Sequence, residues 1–376
     1  MDHTIIKEIK AKSLLRKSKR IDSWFLSRYG MNLYRGCAHN CAYCDGRAEG
    51  YYVEGDFGKE VGVKINAPEL LELELDPRRK RKPMKKGFIV LSGGVGDSYQ
   101  EAEKKYRISR KILKIIKKYN FPVHILTKST SVLDDLDLLK EMNDSSGVMV
   151  SFSLSSADDR LSAQFEPCAP SPSDRLGAMK TLRQEGIVSG VFLLPVIPFL
   201  SDTPSMIDHS LDAAKQAGAS YVLFGGMTLK EGRQQDYFYN ILLELYPELL
   251  SYYQQIYPGN KWGNAVKDYY ETIHLAYNQI SSKYNIPKRI PVHLVKKWIP
   301  RNDQLVILLE HLHYLKRIQG LKSTYEGAAY RLSELNTPVN ELVLRSVDGI
   351  GSVTEKLLKE WIKTGRCRQY EELLIT

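Results

Sequence analysis

Cysteine is scarce in this chain of 376 residues, and five of them, an odd number, do not make a disulfide scaffold. No run of about 18 apolar residues occurs, which excludes an apolar helix spanning a membrane. The opening residues, Met1-Asp2-His3-Thr4-Ile5-Ile6-Lys7, lack the apolar stretch of a signal peptide, so a reducing cytoplasm is expected. Acidic residues are in deficit, 44 against 54 Lys and Arg, which leaves a formal net charge of +10. Phenylalanine is outnumbered by tyrosine, 10 to 23. A basic, tyrosine-rich chain suits contact with a polyanion, and a solvated lysine-rich surface accounts for it equally well. Hydrophobic residues are in ordinary supply at 43%, enough to exclude wholesale disorder.

The length allows one large domain or two to three smaller ones. Residues 1–27 read as a basic N-terminal segment. Between residues 28 and 230 short runs rich in Val, Ile, Leu and Phe alternate with helix-period segments. The runs are Met31–Arg35, Phe88–Ser92, Val123–Thr127, Val148–Ser153, Val191–Val196 and Tyr221–Phe224. Without strict alternation they suit strands buried on both faces of a parallel sheet. The intervening helices are expected at Glu101–Tyr119, Val132–Met142, Ser173–Glu185 and Pro204–Ala217, with stops at Asn120, Gly186 and Gly218. Six βα units predict an α/β fold, a partial (βα)6 TIM-like barrel short of the complete eight. The run Arg78–Lys86 carries seven positive charges and a proline, and reads as a loop, either solvated or in contact with phosphate. Residues 231–323 read as an aromatic-rich helical C-terminal extension packing on the barrel, and 324–376 as a small helical module.

The strongest chemical signal is Cys37-Ala38-His39-Asn40-Cys41-Ala42-Tyr43-Cys44. Three soft thiolates in one tight loop suit an iron–sulfur cluster or zinc. Structural zinc sites use four ligands, usually as two separated pairs, and His39 lies inside the loop, where closing a tetrahedron would strain it. A cubane cluster held by three cysteines leaves one iron open, which catalysis needs. A closed zinc loop or three reduced core thiols are the alternatives.

The match extends past the cysteines. Tyr34-Arg35-Gly36-Cys37, Ser92-Gly93-Gly94-Val95-Gly96-Asp97-Ser98-Tyr99-Gln100, Ile125-Leu126-Thr127-Lys128-Ser129, Ser151-Phe152-Ser153-Leu154, Glu166-Pro167 and Pro195-Val196-Ile197-Pro198 follow in order. Together they resemble the spore photoproduct lyase-like branch of the radical S-adenosylmethionine (SAM) superfamily, whose members are often labelled DNA repair photolyases. The resemblance spans roughly residues 28–260. It implies a 4Fe–4S cluster on Cys37, Cys41 and Cys44, S-adenosyl-L-methionine on the open iron, and a lyase-like radical reaction. It further implies that Lys128 pairs with the cofactor carboxylate, that Ser92, Gly93 and Gly94 meet its amino group, that Ser153 and Ser155 contact its ribose or methionine part, and that Val196 runs near its adenine. Tyr43 is expected to cover the cluster or the adenine. Spore photoproduct lyase itself carries a hydrogen-donor cysteine after its second strand, where this chain has Ser92-Gly93-Gly94. Cys168 is the candidate substitute. The resemblance also implies nucleic acid, DNA foremost, as partner, and a reductant such as flavodoxin or ferredoxin.

The segment Leu344–Leu358 resembles a helix-hairpin-helix DNA-binding motif, with Gly349, Ile350, Gly351 and Lys356 placed to meet phosphate. Asp348 and Glu355 depart from its usual proline and alanine. A separable module here predicts that removing residues 324–376 weakens DNA binding and leaves cofactor cleavage intact.

Overall fold

Two strands precede the first expected one. β1 (Ile5–Ile9) and β2 (Arg16–Asp22) occupy the basic N-terminal segment, and β2 turns into the antiparallel β3 (Ser27–Met31). The short β4 (Tyr34–Arg35) leaves that sheet and pairs antiparallel with β5 (Glu60–Lys64), which pairs parallel with β1. The expected strand Met31–Arg35 is therefore divided between two sheets. β2, Arg-Lys-Ser-Lys-Arg-Ile-Asp, carries the charged side chains of a solvated sheet edge, so no apolar run marks it as a strand. The computed structural model describes residues 4–51, 55–79, 84–335 and 337–376. Lys80, Arg81, Lys82 and Pro83 of the basic run lie outside them; Arg78, within them, is paired with Asp76 at 3.0 Å.

After α1 (Ala67–Leu75) the repeating units follow. They are β6 (Phe88–Leu91) with α2 (Glu103–Tyr106) and α3 (Ile108–Lys118), then β7 (Val123–Thr127) with α4 (Leu136–Ser145). Next come β8 (Val148–Leu154) with α5 (Asp159–Phe165) and α6 (Pro172–Gln184), β9 (Val188–Val196) with α7 (Pro204–Gln216), and β10 (Val222–Gly226). The main sheet is seven-stranded, in the order β10-β9-β8-β7-β6-β3-β2, parallel except at the β2 edge. Its six parallel strands curl into the expected partial barrel. Outward residues such as Ile125, Val150 and Leu193 share one core with Ile112, Leu139, Leu182 and Leu211 of the flanking helices. The expected helix Glu101–Tyr119 breaks at Arg107, which takes φ +50; the Glu103 carboxylate instead accepts from Ser109 N at 2.8 Å and starts α3 afresh. Asn120, Gly186 and Gly218 stop their helices in the left-handed region, as their sequence positions suggest.

The helical C-terminal part wraps the barrel on three sides. α8 (Arg233–Leu245) and α9 (Leu250–Ile256) pack Phe238, Leu242 and Tyr253 against Cys41, Tyr43, Phe165 and Ile197 at the strand ends. The expected helix Tyr237–Leu250 is split here because Pro247 follows Tyr246 and cannot continue it. α10 (Lys267–Ser281) runs beside β10, where Tyr277 stacks on Phe224 at 4.3 Å and donates to Val222 O at 2.8 Å.

The remaining helices, α11 (Val292–Val295), α12 (Arg301–Ile318), α13 (Tyr325–Glu334), α14 (Ser352–Thr364) and α15 (Arg368–Ile375), gather where the strands begin. α12 buries Leu305 through Leu309 without a break, the mark of a helix surrounded on all sides. It shares one core with Phe88, Met149 and Tyr221 at the strand starts and with Trp361, Tyr370 and Leu374 of the last two helices. Residues 324–376 are thus not separable as expected: removing them would strip Trp361 and Tyr370 from the floor of the barrel. Among the described residues no helix is long and apolar enough to cross a membrane.

Candidate active site

The cysteine loop lies at the C-terminal ends of the parallel strands. Gly36, at φ +75, turns the chain out of β4, and Asn40, at φ +56, turns it again inside the loop. Glycine is required at Gly46, where a Cβ would come within 2.4 Å of Phe57 and 2.6 Å of Val95. Four neighbours hold the loop. Gln100 accepts from Ala38 N at 2.8 Å and donates to Gly36 O at 3.3 Å. Arg47 donates to Cys41 O at 3.1 Å and lies 3.4 Å over the Tyr237 ring of α8. Gln234 donates to Tyr43 O at 2.9 Å, and Ala42 N to Phe165 O at 2.7 Å. The backbone that carries the three sulfurs is thus fixed by these contacts.

A buried carboxylate ties this loop to the strand ends. Asp97 Oδ2 lies 3.1 Å from His39 Nε2 and accepts from Lys128 N at 2.7 Å. Its Oδ1 accepts from Thr127 Oγ1 and Tyr99 N, both at 2.8 Å. Burial alone would raise the Asp97 pKa, but His39 and these donors hold it below the usual carboxylate range. With Nε2 on Asp97 and Nδ1 3.4 Å from Cys168 O, His39 is a strut of the loop, in keeping with its exclusion as a fourth ligand.

A second buried carboxylate, Glu166, carries the charge balance. Its Oε1 accepts from Tyr43 OH and sits 3.2 Å from Lys128 Nζ; its Oε2 accepts from Arg175 Nη2 and from Ser162 Oγ at 3.0 Å. Arg175 is fully buried and also donates to Ser153 O at 2.9 Å. Burial pushes Glu166 up, yet Lys128 and Arg175 outweigh it and hold the acid well below its ordinary range. Two cations share one carboxylate, so this trio carries one positive charge in excess. The Lys128 ammonium, half-buried and bonded to Ser153 Oγ at 2.8 Å, is its exposed end.

These residues fit the expected groups. Cys37, Cys41 and Cys44 are free thiols, all raised in pKa by burial, Cys41 to about 12. Thiols so placed become thiolates only with positive metal charge beside them, which a cluster supplies. Among the described residues no three His, Cys, Asp or Glu side chains meet as ligands of a single ion. The excess charge at Lys128 suits a carboxylate. Ser155 Oγ, fully buried at the end of β8, has no hydrogen-bond partner among the described residues, so a hydroxyl is left over for a ligand. Ser92, at φ +63, locks its hydroxyl to Ser98 N at 2.7 Å, which leaves backbone as the ligand-facing surface of Ser92-Gly93-Gly94; a Cβ on Gly94 would meet nothing within 4 Å.

Other expected site residues fall differently. Val196 packs in the outer core, because the pairing irregularity between Phe224 and Gly226 breaks the alternation of β9; only its backbone remains to face a ligand. Cys168 is exposed, and its N–H lies 3.4 Å from His39 O, beside the cysteine loop. Tyr43 is buried with its hydroxyl spent on Glu166, so it acts as a wall of the site. Gly349, Ile350, Gly351 and Lys356 lie far from all these residues, on the helical floor. Sequence reading missed Asp97, Glu166 and Arg175 as site residues. The first two stand inside the quoted motifs, but nothing in those motifs tells which distant cation each one meets.

Comparison with known proteins gives a concordant picture. The Radical SAM superfamily model matches residues 31–213. An uncharacterized protein of Methanocaldococcus jannaschii is 34% identical over 223 residues, 59% of this chain and 78% of that protein. One of Mycobacterium bovis is 34% identical over 234 residues, 61% of this chain and 67% of the relative. Among solved structures, spore photoproduct lyase complexed with dinucleoside spore photoproduct aligns with a TM-score of 0.53 at 14% identity, covering 74% of this chain and 79% of that one. At that identity the likeness is one of fold.

Proposed function

Since the chain belongs to the radical SAM superfamily and is a radical SAM enzyme with a 4Fe–4S cluster and S-adenosylmethionine as cofactors, we propose that it acts on nucleic acid, DNA foremost, in lesion repair or modification. The observation that carries the reading is one loop of three buried free thiols set beside an excess positive charge at the ends of a parallel half-barrel. Cys37, Cys41 and Cys44 would hold the cluster, which when bound would supply electrons for reductive cleavage of the cofactor. Lys128 takes the cofactor carboxylate, Ser155 offers its free hydroxyl, and the backbone of Gly93-Gly94 lets the amino end approach. Phe238, Leu242 and Tyr253 close an apolar wall beside Tyr43, which keeps water from a reactive species. Cys168, exposed at the rim, would give its S–H hydrogen atom to a product radical, and the thiyl radical left on sulfur would take an electron from the reductant and a proton from solvent.

The net charge of +10 supports a polyanionic substrate, and the lyase of like fold is solved with a dinucleoside lesion. Free cysteines suit a reducing cytoplasm, where flavodoxin or ferredoxin would be the reductant. The test is anaerobic reconstitution followed by dithionite and DNA deuterated at its sugar and thymine methyl positions. Deuterium in 5′-deoxyadenosine supports the reading. Cofactor cleavage with deuterium absent from every labelled DNA moves the substrate to a peptide or small molecule. A colourless zinc protein without cleavage overturns the assignment of chemistry as well.

A further inference from the structure

On the floor of the barrel, away from the cofactor site, a groove of about 700 Å³ opens between the C-terminal end of α12 and the first turns of α13 and α14. Lys316, Arg317 and Lys322 line it, with His313. Among the described residues none of these three cations has a carboxylate within ion-pair distance; Glu326 pairs instead with His313 at 3.7 Å. Lys316 only overlies the Tyr325 ring at 5.3 Å. These cations outnumber Glu326, the one carboxylate lining the groove, and an anion there relieves their mutual repulsion.

The groove is too roomy for one phosphate. It is many times the roughly 30 Å³ that a single water occupies, and it is flanked by exposed Leu321 and Val353, at 51% and 68% exposure. Its far wall holds Val353 and Thr354, directly after the Gly349–Gly351 turn; a Cβ on Gly349 would lie 3.7 Å from Ala328 N, so that turn packs on α13. Lys356 stands exposed one turn further along α14. Cations beside an apolar rim match the phosphates and the sugar and base faces of a nucleic-acid strand.

We propose that this groove, and not the glycine turn alone, is the surface that grips a nucleic-acid backbone, remote from the chemistry. The proposal rests on the nucleic-acid reading for the identity of the polyanion. It assigns the grip to Lys316, Arg317 and Lys322, without base readout. The groove lies at the strand starts and the cysteine loop at the strand ends, so the surface anchors the substrate and does not orient the reacting base.

The experiment uses the full chain, fluorescein-labelled single-stranded and duplex DNA, and phosphatidylserine vesicles, each titrated from 50 to 200 mM salt. The variant is the triple Lys316→Ala, Arg317→Ala, Lys322→Ala, with its thermal midpoint as the fold check. Each cation that meets one phosphate contributes about 0.9 to the slope of log K against log salt, so the variant should lose about 2.7 of slope on duplex, with weaker binding at low salt. Uncoupled cofactor cleavage should be unchanged. If the parent binds DNA and the variant binds it equally with the same slope, the groove is wrong while the nucleic-acid reading survives. If the parent binds neither DNA form at any salt, that reading fails with it. If only vesicles bind, and the variant loses them, the groove is a lipid surface and the proposal is overturned.

Discussion

The upper and lower halves of the barrel interior are lined by the same strands and use opposite electrostatics. Along the inward face of β8, Met149 packs in the apolar floor, Ser151 sits in a neutral chain of hydrogen bonds, and Ser153 bonds an ammonium. β7 repeats the gradient from buried His124 to Lys128. Along the lower part of β7 and β8 the polar groups are satisfied without charge, and the ions of the floor, such as the Arg28–Asp303 pair, lie beside them. Tyr221 donates to Ser151 Oγ at 2.7 Å, Ser151 donates to His124 Nε2 at 2.7 Å, and Nδ1–H meets Phe25 O at 3.0 Å. His311 is likewise enclosed, between Ser23 O at 2.8 Å and Tyr370 OH at 2.9 Å. At the top the buried groups are ions, the Asp97 and Glu166 carboxylates with the Lys128 and Arg175 cations, set beside the His39 imidazole. Neutral hydrogen bonding serves strand bases that only have to stay shut. Buried ions serve a site that must take up a charged cofactor.

Four experiments press on this contrast. The largest effect is expected for Cys37→Ala, which should abolish the cluster's absorption and 5′-deoxyadenosine formation while the melt of the apo-protein, carried by the floor, barely moves. Glu166→Gln comes next. It leaves Lys128 and Arg175 buried without an anion, which should lower the stability in denaturant titration by about 3–5 kcal/mol and weaken cofactor retention too.

The third is acid titration of the floor. Burial lowers His124 to about 4 and His311 to about 3, so both stay neutral in the fold while the unfolded chain binds protons below about pH 6.5. At these two sites the unfolded state then holds more protons, which removes roughly 3 kcal/mol of stability per histidine as pH drops from about 6.5 towards 4. Glu103, raised by burial to about 7, works in the opposite sense over the same window. Either of these two imidazoles titrating near 6.5 by NMR would contradict their neutral burial. The smallest change is expected for Ser151→Ala, about 1–3 kcal/mol from stranding His124 Nε2 and Tyr221 OH, with iron content untouched. Equal loss of iron in that variant would mean that floor and site are not independent.

The parallel strands were legible because each is buried on both faces and so reads as an unbroken apolar run, as in Phe88-Ile-Val-Leu91. β1, β2 and β5 were not, because a side sheet and a solvated edge leave charged residues in place. In the site, the cysteines were legible from spacing within eight residues. Asp97 meets His39 across 58 positions and Glu166 meets Tyr43 across 123, and no local pattern encodes such pairings. The helical extension read correctly as helices, but whether a given helix caps the top, flanks β10 or plugs the bottom depends on loop direction at the prolines. That decision made the last 53 residues part of the floor.

The plug helix α12 follows β10 in the chain, and this has a consequence for biosynthesis. A ribosome finishes the sheet at Gly226 and reaches the end of α12 at Ile318 only 92 residues later. At about 5–20 residues per second that takes roughly 5–18 s, during which the apolar underside of the curled sheet lacks its plug. Until α12 docks, Phe88, Met149 and Tyr221 at the strand starts have no partner on that side, so a chain cut before Arg301 is expected to aggregate.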